Sequence, residues 1–265
     1  MDGIADYEFV RPLGAGNHGE YYLARKPARL PVDAEMVAVK VLSGAASEDV
    51  FRRATRELSA FAAVRSEYLV SLFDAGQQGG VFYYSMEYLP DGSLANPAYL
   101  LDPARTLTAV AHAARAAHAL HEAGIVHRDI KPGNVLLHAK GAKLSDLGLS
   151  QVLTPGMTLT GMGELASIEF VDPALLHGDP PSRASDIFSL GVTLHSVMAG
   201  HGLYGELPDR DPVLALRKVL STPPTVDPGL DEEVAQIIRA CIAADRPLRP
   251  PTALDLAERI EALVA

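Results

Sequence analysis

His127-Arg128-Asp129-Ile130-Lys131-Pro132-Gly133-Asn134 follows a long alanine-rich run and leads straight into Val135-Leu136-Leu137. That order predicts a helix, a tight polar loop and a short buried strand. Asp129 and Asn134 can aim oxygens at one point, and Lys131 brings a positive charge to the same loop. A base, a metal ligand and a cation this close together suit phosphoryl transfer, in which a protein mainly positions groups and neutralises charge. A charged surface loop between helix and strand is the plain alternative, and the loop alone does not choose between them.

Upstream, the chain to about Tyr88 reads mostly as β-structure. Tyr7-Glu8-Phe9-Val10 opens a strand, and Gly14, Gly16 and Gly19 then stand between two strand-like runs. Glycines so spaced let a backbone turn tightly and bring N–H groups close to a polyphosphate. The run after Gly19 is a strand and not a helix, which favours a glycine flap over a dinucleotide-binding turn. After a Pro-containing connector, Lys26–Glu35, comes the strand Met36–Leu42. There Lys40 falls on the face opposite Val39 and Val41. A lone strand lysine is usually solvated or guards an edge. Asp49–Val64, however, has helical composition and carries Glu57, and a Lys–Glu pair between strand and helix would fix the ammonium. Tyr68–Ala75 and Val81–Tyr88 read as two strands joined by the glycine-rich Gly76–Gly80 turn.

Beyond Leu89-Pro90-Asp91-Gly92 the pattern turns helical. Pro103–Ala123 is a helix capped by Asp102 and ended by Gly124. Its His112, Arg115, His118 and His121 read as a half-exposed face. Past the catalytic-looking loop, Asp146 precedes a glycine turn after a short strand, a natural place for a carboxylate that reaches a metal. Leu149–Leu176 shows no firm periodicity and reads as a long functional loop. Four helices complete the chain: Ala184–Met198, Val213–Leu220, Glu232–Ala243 and Thr252–Val264.

Composition narrows the function classes. A net charge of −10 over 265 residues argues against nucleic-acid binding. No apolar run reaches a membrane span, and Met1–Phe9 is no secretory signal. The expected location is the cytoplasm, for this chain alone or as the cytoplasmic domain of a longer protein. Cys241 is the single cysteine, so a disulfide within the chain and a cysteine-rich metal site are excluded.

Taken in series, these motifs resemble the eukaryotic-like (Hanks-type) Ser/Thr protein kinases, particularly the bacterial ones. Gly14–Gly19 is similar to their Gly-rich loop and Val37-Ala38-Val39-Lys40 to their third-strand lysine motif. Glu57 fits the helix-C glutamate, His127–Asn134 the catalytic loop, and Asp146-Leu147-Gly148 the metal-binding turn. Asp186 looks like the start of the central helix of the larger lobe, and Arg249 like the arginine before the last one. The resemblance implies an α+β, bilobal protein-kinase-like fold. Residues 1–265 would form one catalytic domain: a small antiparallel β lobe with one main helix (1–88), then a hinge and a larger helical lobe (89–265).

It also implies roles. Lys40 would hold the ATP phosphates and Glu57 would orient it. Asp129 would serve as base, Lys131 as the cation beside the transferred phosphate, and Asn134 and Asp146 as Mg²⁺ ligands. Gly14, Gly16, Gly19, Tyr21, Ala38, Met86, Glu87, Leu89 and Leu136 would line the nucleotide, with adenine between Ala38 and Leu136. Lys131 favours Ser and Thr acceptors on protein substrates. Arg128 beside Asp129 implies a phosphorylated activation loop, with Thr158 or Thr160 as the site and a second copy of the chain as the partner for phosphorylation in trans.

The chain also departs from the family pattern. Tyr21 stands where valine is usual, Asp172-Pro173-Ala174 replaces Ala-Pro-Glu, and Ala166-Ser167 replaces Gly-Thr. Without the glutamate, Arg249 needs another acceptor: Asp172 first, then Asp179 or backbone carbonyls. The segment would then be held more loosely than usual, and Ala174→Glu would stabilise the fold if the guanidinium is still reachable. These departures keep open a pseudokinase that binds nucleotide as a signalling scaffold. A small-molecule kinase is a third reading, disfavoured by Lys131 and the Asp186 helix.

Overall fold

A computed structural model of the chain describes residues 2–16, 19–45, 48–146, 165–208 and 211–265. They fall into two compact units. The first takes in the chain up to Val64 together with Val70–Tyr88; the second holds Arg65–Leu69 and most of the described chain from Leu89 onward.

Among the described residues, the first unit is an antiparallel sheet with one helix. Its strands are β1 (Gly3–Ile4), β2 (Tyr7–Gly16), β3 (Gly19–Arg25), β4 (Met36–Ala45), β5 (Leu72–Gln78) and β6 (Val81–Glu87), in the order β1-β2-β3-β4-β6-β5. Strand alternation sorts β4 into two faces. Val37, Val39 and Val41 join Ile4, Tyr7, Ala24, Leu30 and Tyr83 in a buried cluster, which leaves Ala38 and Lys40 on the other face. Helix α1 (Glu48–Ala63) buries Ala54, Leu58 and Phe61. That i, i+4, i+7 stripe is the inward face of a surface helix, and α1 packs on β5.

The β5–β6 connection is tighter than the glycine cluster suggests. β5 begins at Leu72 and runs through Gly76 to Gln78, so only Gly79 and Gly80 form the turn, with φ of 57° and 83°. Two positive φ values in a two-residue loop match the twist of the strands it joins. Tyr68 and Leu69 are not part of β5: Leu69 bridges to Leu144, in the second unit.

The second unit carries a small sheet in the order β10-β9-β7-β8. These strands are β7 (Gly92–Ser93), β8 (Asn96–Pro97), β9 (Val135–His138) and β10 (Gly141–Leu144). Helix α2 (Pro103–Glu122) starts where Asp102 accepts from the Arg105 N–H. It stops in a Schellman arrangement: Gly124, at φ 76°, donates to the His121 carbonyl and Ile125 to that of Leu120. The other α-helices among the described residues are α3 (Pro173–Leu176), α4 (Arg183–Ala199), α5 (Pro212–Ser221), α6 (Glu232–Cys241) and α7 (Ala253–Glu261). Among them α4 is central, with every residue from Ser185 to His195 buried. Gly191 is obligatory in this packing, because a Cβ there would lie 2.3 Å from that of Cys241. Burial pushes the Cys241 thiol up to about 12, which leaves it a packing residue.

Packing corrects two expectations. His121 does not lie on a half-exposed face; it is 1% exposed, and its Nε2 lies 2.8 Å from Asp186 Oδ2. His112, Arg115 and His118 are half-buried, and Arg115 is paired with Glu261 at 2.6 Å. The stretch predicted to lack regular structure ends in a 3₁₀ segment, Leu165–Phe170, followed by α3.

Candidate active site

The catalytic-looking loop is built on α4. Asp186 sits in the first turn of that helix, 1% exposed, and accepts from the backbone N–H groups of His127 (2.8 Å) and Arg128 (2.9 Å). A buried carboxylate is tolerable only when its oxygens are satisfied, and here the loop backbone and His121 do so. The same contacts fix where the loop starts. His127 is fully buried, and burial lowers its pKa so that the ring stays neutral. Its Nε2 faces the Ser145 carbonyl at 3.0 Å and its Nδ1 accepts from the Asp129 N–H at 3.3 Å. That pairing selects the Nε2–H tautomer.

Asp129 itself is held from both sides. Lys131 Nζ lies 3.1 Å from Oδ1, and the Asn134 amide donates to Oδ2 at 3.0 Å and to the Asp129 carbonyl at 2.7 Å. With its nitrogen used in this way, the amide oxygen is the Asn134 atom left to serve as a cation ligand. The 3₁₀ turn Pro132–Asn134 produces this bend, and the Asn134 carbonyl then accepts from Ser145 N (2.8 Å) and Oγ (3.1 Å). Ser145 thereby ties the loop to Asp146, whose side chain is nearly buried.

Arg128 and Asp146 both adopt left-handed backbone, at φ 71° and 58°. Such conformations in non-glycine residues cost of order 1–3 kcal/mol each and cluster at functional sites. The Arg128 side chain is exposed. Leu136 is half-buried in β9, paired with Ser93 and Lys143, and Leu89 is half-buried at the start of the same unit.

The first unit supplies the other predicted residues. Gly14 sits at a bulge in β2 with φ 147°. A Cβ on Gly19 would fall 2.2 Å from the Val41 carbonyl oxygen, so only glycine fits where β3 leaves the turn. Gly16 pairs with Gly19 across that turn. Lys40 is half-buried, directly opposite Tyr21 on β3 and Tyr84 on β6. Its Nζ is 4.8 Å from the Tyr21 ring centroid and 5.9 Å from that of Tyr84. Tyr84 is a neighbour that motif reading passes over; only the strand register reveals it. Ala38 and Met86 are buried partners on β4 and β6, and Glu87 accepts from the Ser71 N–H at 2.7 Å. Glu57 is half-buried on α1. Leu147, Gly148, Thr158 and Thr160 lie outside the described residues.

Arg249 is buried at 5% exposure and makes four hydrogen bonds. Nη1 donates to Asp172 Oδ2 (2.6 Å) and the Ala184 carbonyl (2.8 Å), Nη2 to Asp172 Oδ1 (3.3 Å), and Nε to the Ala243 carbonyl (2.8 Å). Asp172 is thus the substitute acceptor, and it also caps α3 through the Ala174 N–H. Asp179 pairs instead with Arg246, at 3.1 Å. The pair is buried on both sides and doubly bonded, and it ties the start of α3 to the turn that holds Arg249.

Paired glycine-bearing strands with a strand lysine in one unit, and this loop with Asp146 in the other, define the protein kinase class. The chain belongs to the protein kinase domain family, whose profile matches residues 7–259. It is 29% identical over 259 residues to the probable serine/threonine-protein kinase PkwA of Thermomonospora curvata, covering 96% of this chain and 34% of that protein. It is 33% identical over 265 residues to the serine/threonine-protein kinase PknK of Mycobacterium bovis, covering 97% of this chain and 23% of that protein. The chain therefore spans about a quarter to a third of the length of these relatives. The crystal structure of the Mycobacterium tuberculosis PknI kinase domain shares the fold, at a TM-score of 0.71 and 23% identity, covering 99% of this chain and 98% of that one.

Proposed function

We propose that the chain is a protein kinase that transfers the γ-phosphate of ATP, with Mg²⁺, to Ser and Thr hydroxyls of proteins. The observation that carries this reading is Asp129 held between Lys131 and Asn134 at 3.1 and 3.0 Å, on a loop fixed by Asp186. PkwA and PknK, both named as serine/threonine kinases, support the same acceptor class.

The donor sets fit the groups assigned to them. Asn134 and Asp146 offer amide and carboxylate oxygens, which suit a hard cation such as Mg²⁺. Half-buried Lys40 offers an ammonium for phosphate oxygens, and Gly14 a strand position with open space beside it. ATP would supply the phosphoryl group and leave as ADP, and Mg²⁺ held by Asn134 and Asp146 would supply positive charge against the phosphate oxygens. Asp129 orients the acceptor hydroxyl and takes its proton as the new P–O bond forms and the bond from the γ-phosphorus to the ADP oxygen breaks. Lys131 stabilises the transferring charge, and Lys40, oriented by Glu57, keeps the phosphates in place. Ala38, Met86, Glu87, Leu89, Leu136 and Tyr21 contact the nucleoside.

The reading includes control by modification. Thr158 or Thr160 is phosphorylated by a second copy of the chain, and the exposed Arg128 guanidinium receives the dianion. The Thr158→Ala, Thr160→Ala double variant then loses activation; unchanged activity rules this control out. The setting is cytoplasmic.

The test of the reaction is incubation with Mg²⁺ and γ-labelled ATP, with phosphosites mapped by mass spectrometry. Asp129→Asn should keep nucleotide binding and lower transfer by about 10²–10⁴-fold. Transfer at the unmodified rate would overturn Asp129 as base. Binding without any transfer by the unmodified chain would favour the scaffold reading.

A further inference from the structure

Residues of five strands fall in one row across the first sheet. Gly14 on β2 faces Tyr21 on β3, Tyr21 faces Lys40 on β4, Lys40 faces Tyr84 on β6, and Tyr84 faces Ala75 on β5. Directly opposed residues on neighbouring strands share a face and touch. This is the face opposite the Val37, Val39, Val41 cluster. The row therefore reads as no side chain, ring, cation, ring, small side chain.

We propose that Tyr21 is a positioning residue for Lys40, its ring acting with that of Tyr84 to fix the ammonium before nucleotide arrives. The two centroids lie 4.8 and 5.9 Å from Nζ, within the range at which a ring face attracts a cation. Tyr84, at 2% exposure, is the fixed ring, and half-buried Tyr21 the accessible one. Gly14 adds no side chain to the row beyond Tyr21, and a Cβ built on it would meet nothing within 4 Å. Lysine carries a long, freely rotating stem, so ordering it in advance lowers the entropy lost when phosphate binds. Valine, the residue that the family resemblance places at this position, has no ring face with which to do this. The departure at Tyr21 thereby becomes a gain for the lysine.

The inference rests on the kinase reading, in which Lys40 meets the phosphates. Its test separates the two. The quantity to measure is the ratio of ATP to adenosine affinity, by calorimetry, in the full chain. The ratio isolates contacts made to phosphate from those made to the nucleoside. Tyr21→Leu should lower the ratio about two- to tenfold, and Tyr21→Phe, which keeps the ring face, should restore it. In a Lys40→Met background, Tyr21→Leu should change the ratio no further, because the effect passes through the ammonium. A second readout needs no nucleotide: the Lys40 ε-methylene protons should be ring-shifted upfield in the free protein and move downfield in Tyr21→Leu. Thermal melts of each variant confirm that it is folded.

If Lys40→Met leaves the ratio unchanged, the assignment of Lys40 to the phosphates fails. If Lys40→Met collapses the ratio while Tyr21→Leu matches the unmodified chain, the kinase reading stands and the positioning role is overturned. A higher ratio in Tyr21→Leu also overturns it, since the ring would then compete with phosphate for the ammonium. So does an equal Tyr21→Leu effect in the Lys40→Met background, which would make Tyr21 a packing residue only.

Discussion

At the scale of single residues, Asp186 shows how one buried group sets several others. Its carboxylate meets the N–H groups of His127 and Arg128 and the His121 ring. Asn at this position would keep the size but replace one acceptor oxygen with an N–H₂, aimed at groups that themselves donate. Asp186→Asn should therefore lower stability by about 2–5 kcal/mol and reduce transfer more than nucleotide binding. Denaturant titration and a comparison of turnover with ATP affinity check this. A variant as stable and active as the unmodified chain would mean that the loop is fixed from elsewhere.

At the scale of elements, the Asp172–Arg249 pair joins the start of α3 to the turn before α7. Burial pushes the Asp172 carboxyl up, but the hydrogen bonds from Arg249 and the Ala174 N–H outweigh it and hold it below its ordinary value of 3.8. A carboxyl lowered on folding contributes stability that is present above its unfolded pKa and is lost as pH falls through the folded one. The contribution should therefore be intact at neutral pH and fade in acid below about 4. Asp172→Ala would leave Arg249 buried with two carbonyls and no counter-charge, at a cost of about 3–5 kcal/mol. Ala174→Glu should bring no gain in melting temperature, because both ends of the guanidinium are already bound. A clear rise in that variant would show that a glutamate can displace Asp172.

At the scale of the whole molecule, stability is also bounded on the alkaline side. His201, just beyond α4, places Nδ1 3.2 Å from the Gly202 carbonyl and Nε2 2.6 Å from Asp227 Oδ2. Two acceptors around one ring call for two N–H groups, hence for the imidazolium. The Gly202 carbonyl and the Asp227 carboxylate both raise the His201 pKa above 6.5, while the neighbouring His195 ring is held neutral by burial. A histidine raised on folding contributes stability that is full below its unfolded pKa and is lost as pH rises through the folded one. Melting temperatures taken from pH 6 to 9 should fall modestly for this reason, and the fall should shrink in His201→Gln. Equal slopes in the two proteins would remove His201 from the explanation.

Much of this protein was legible in its residues because the relevant physics is local. Asp102 and Thr252 announce the helix starts that they cap, Gly124 ends α2, and alternation places Lys40 opposite the valines of β4. The motif residues from Gly14 to Asp146 are read from order and spacing along the chain. Tertiary structure alone decided which distant groups meet. It chose Asp172 over Asp179 for Arg249, buried His121 against Asp186, and set Tyr21 and Tyr84 on either side of Lys40. These contacts depend on strand register and on how helices pack. A shift of one residue in register turns a side chain to the other face without altering the local pattern. Periodicity tells which side of an element is inside; only the packed molecule supplies the partner found there.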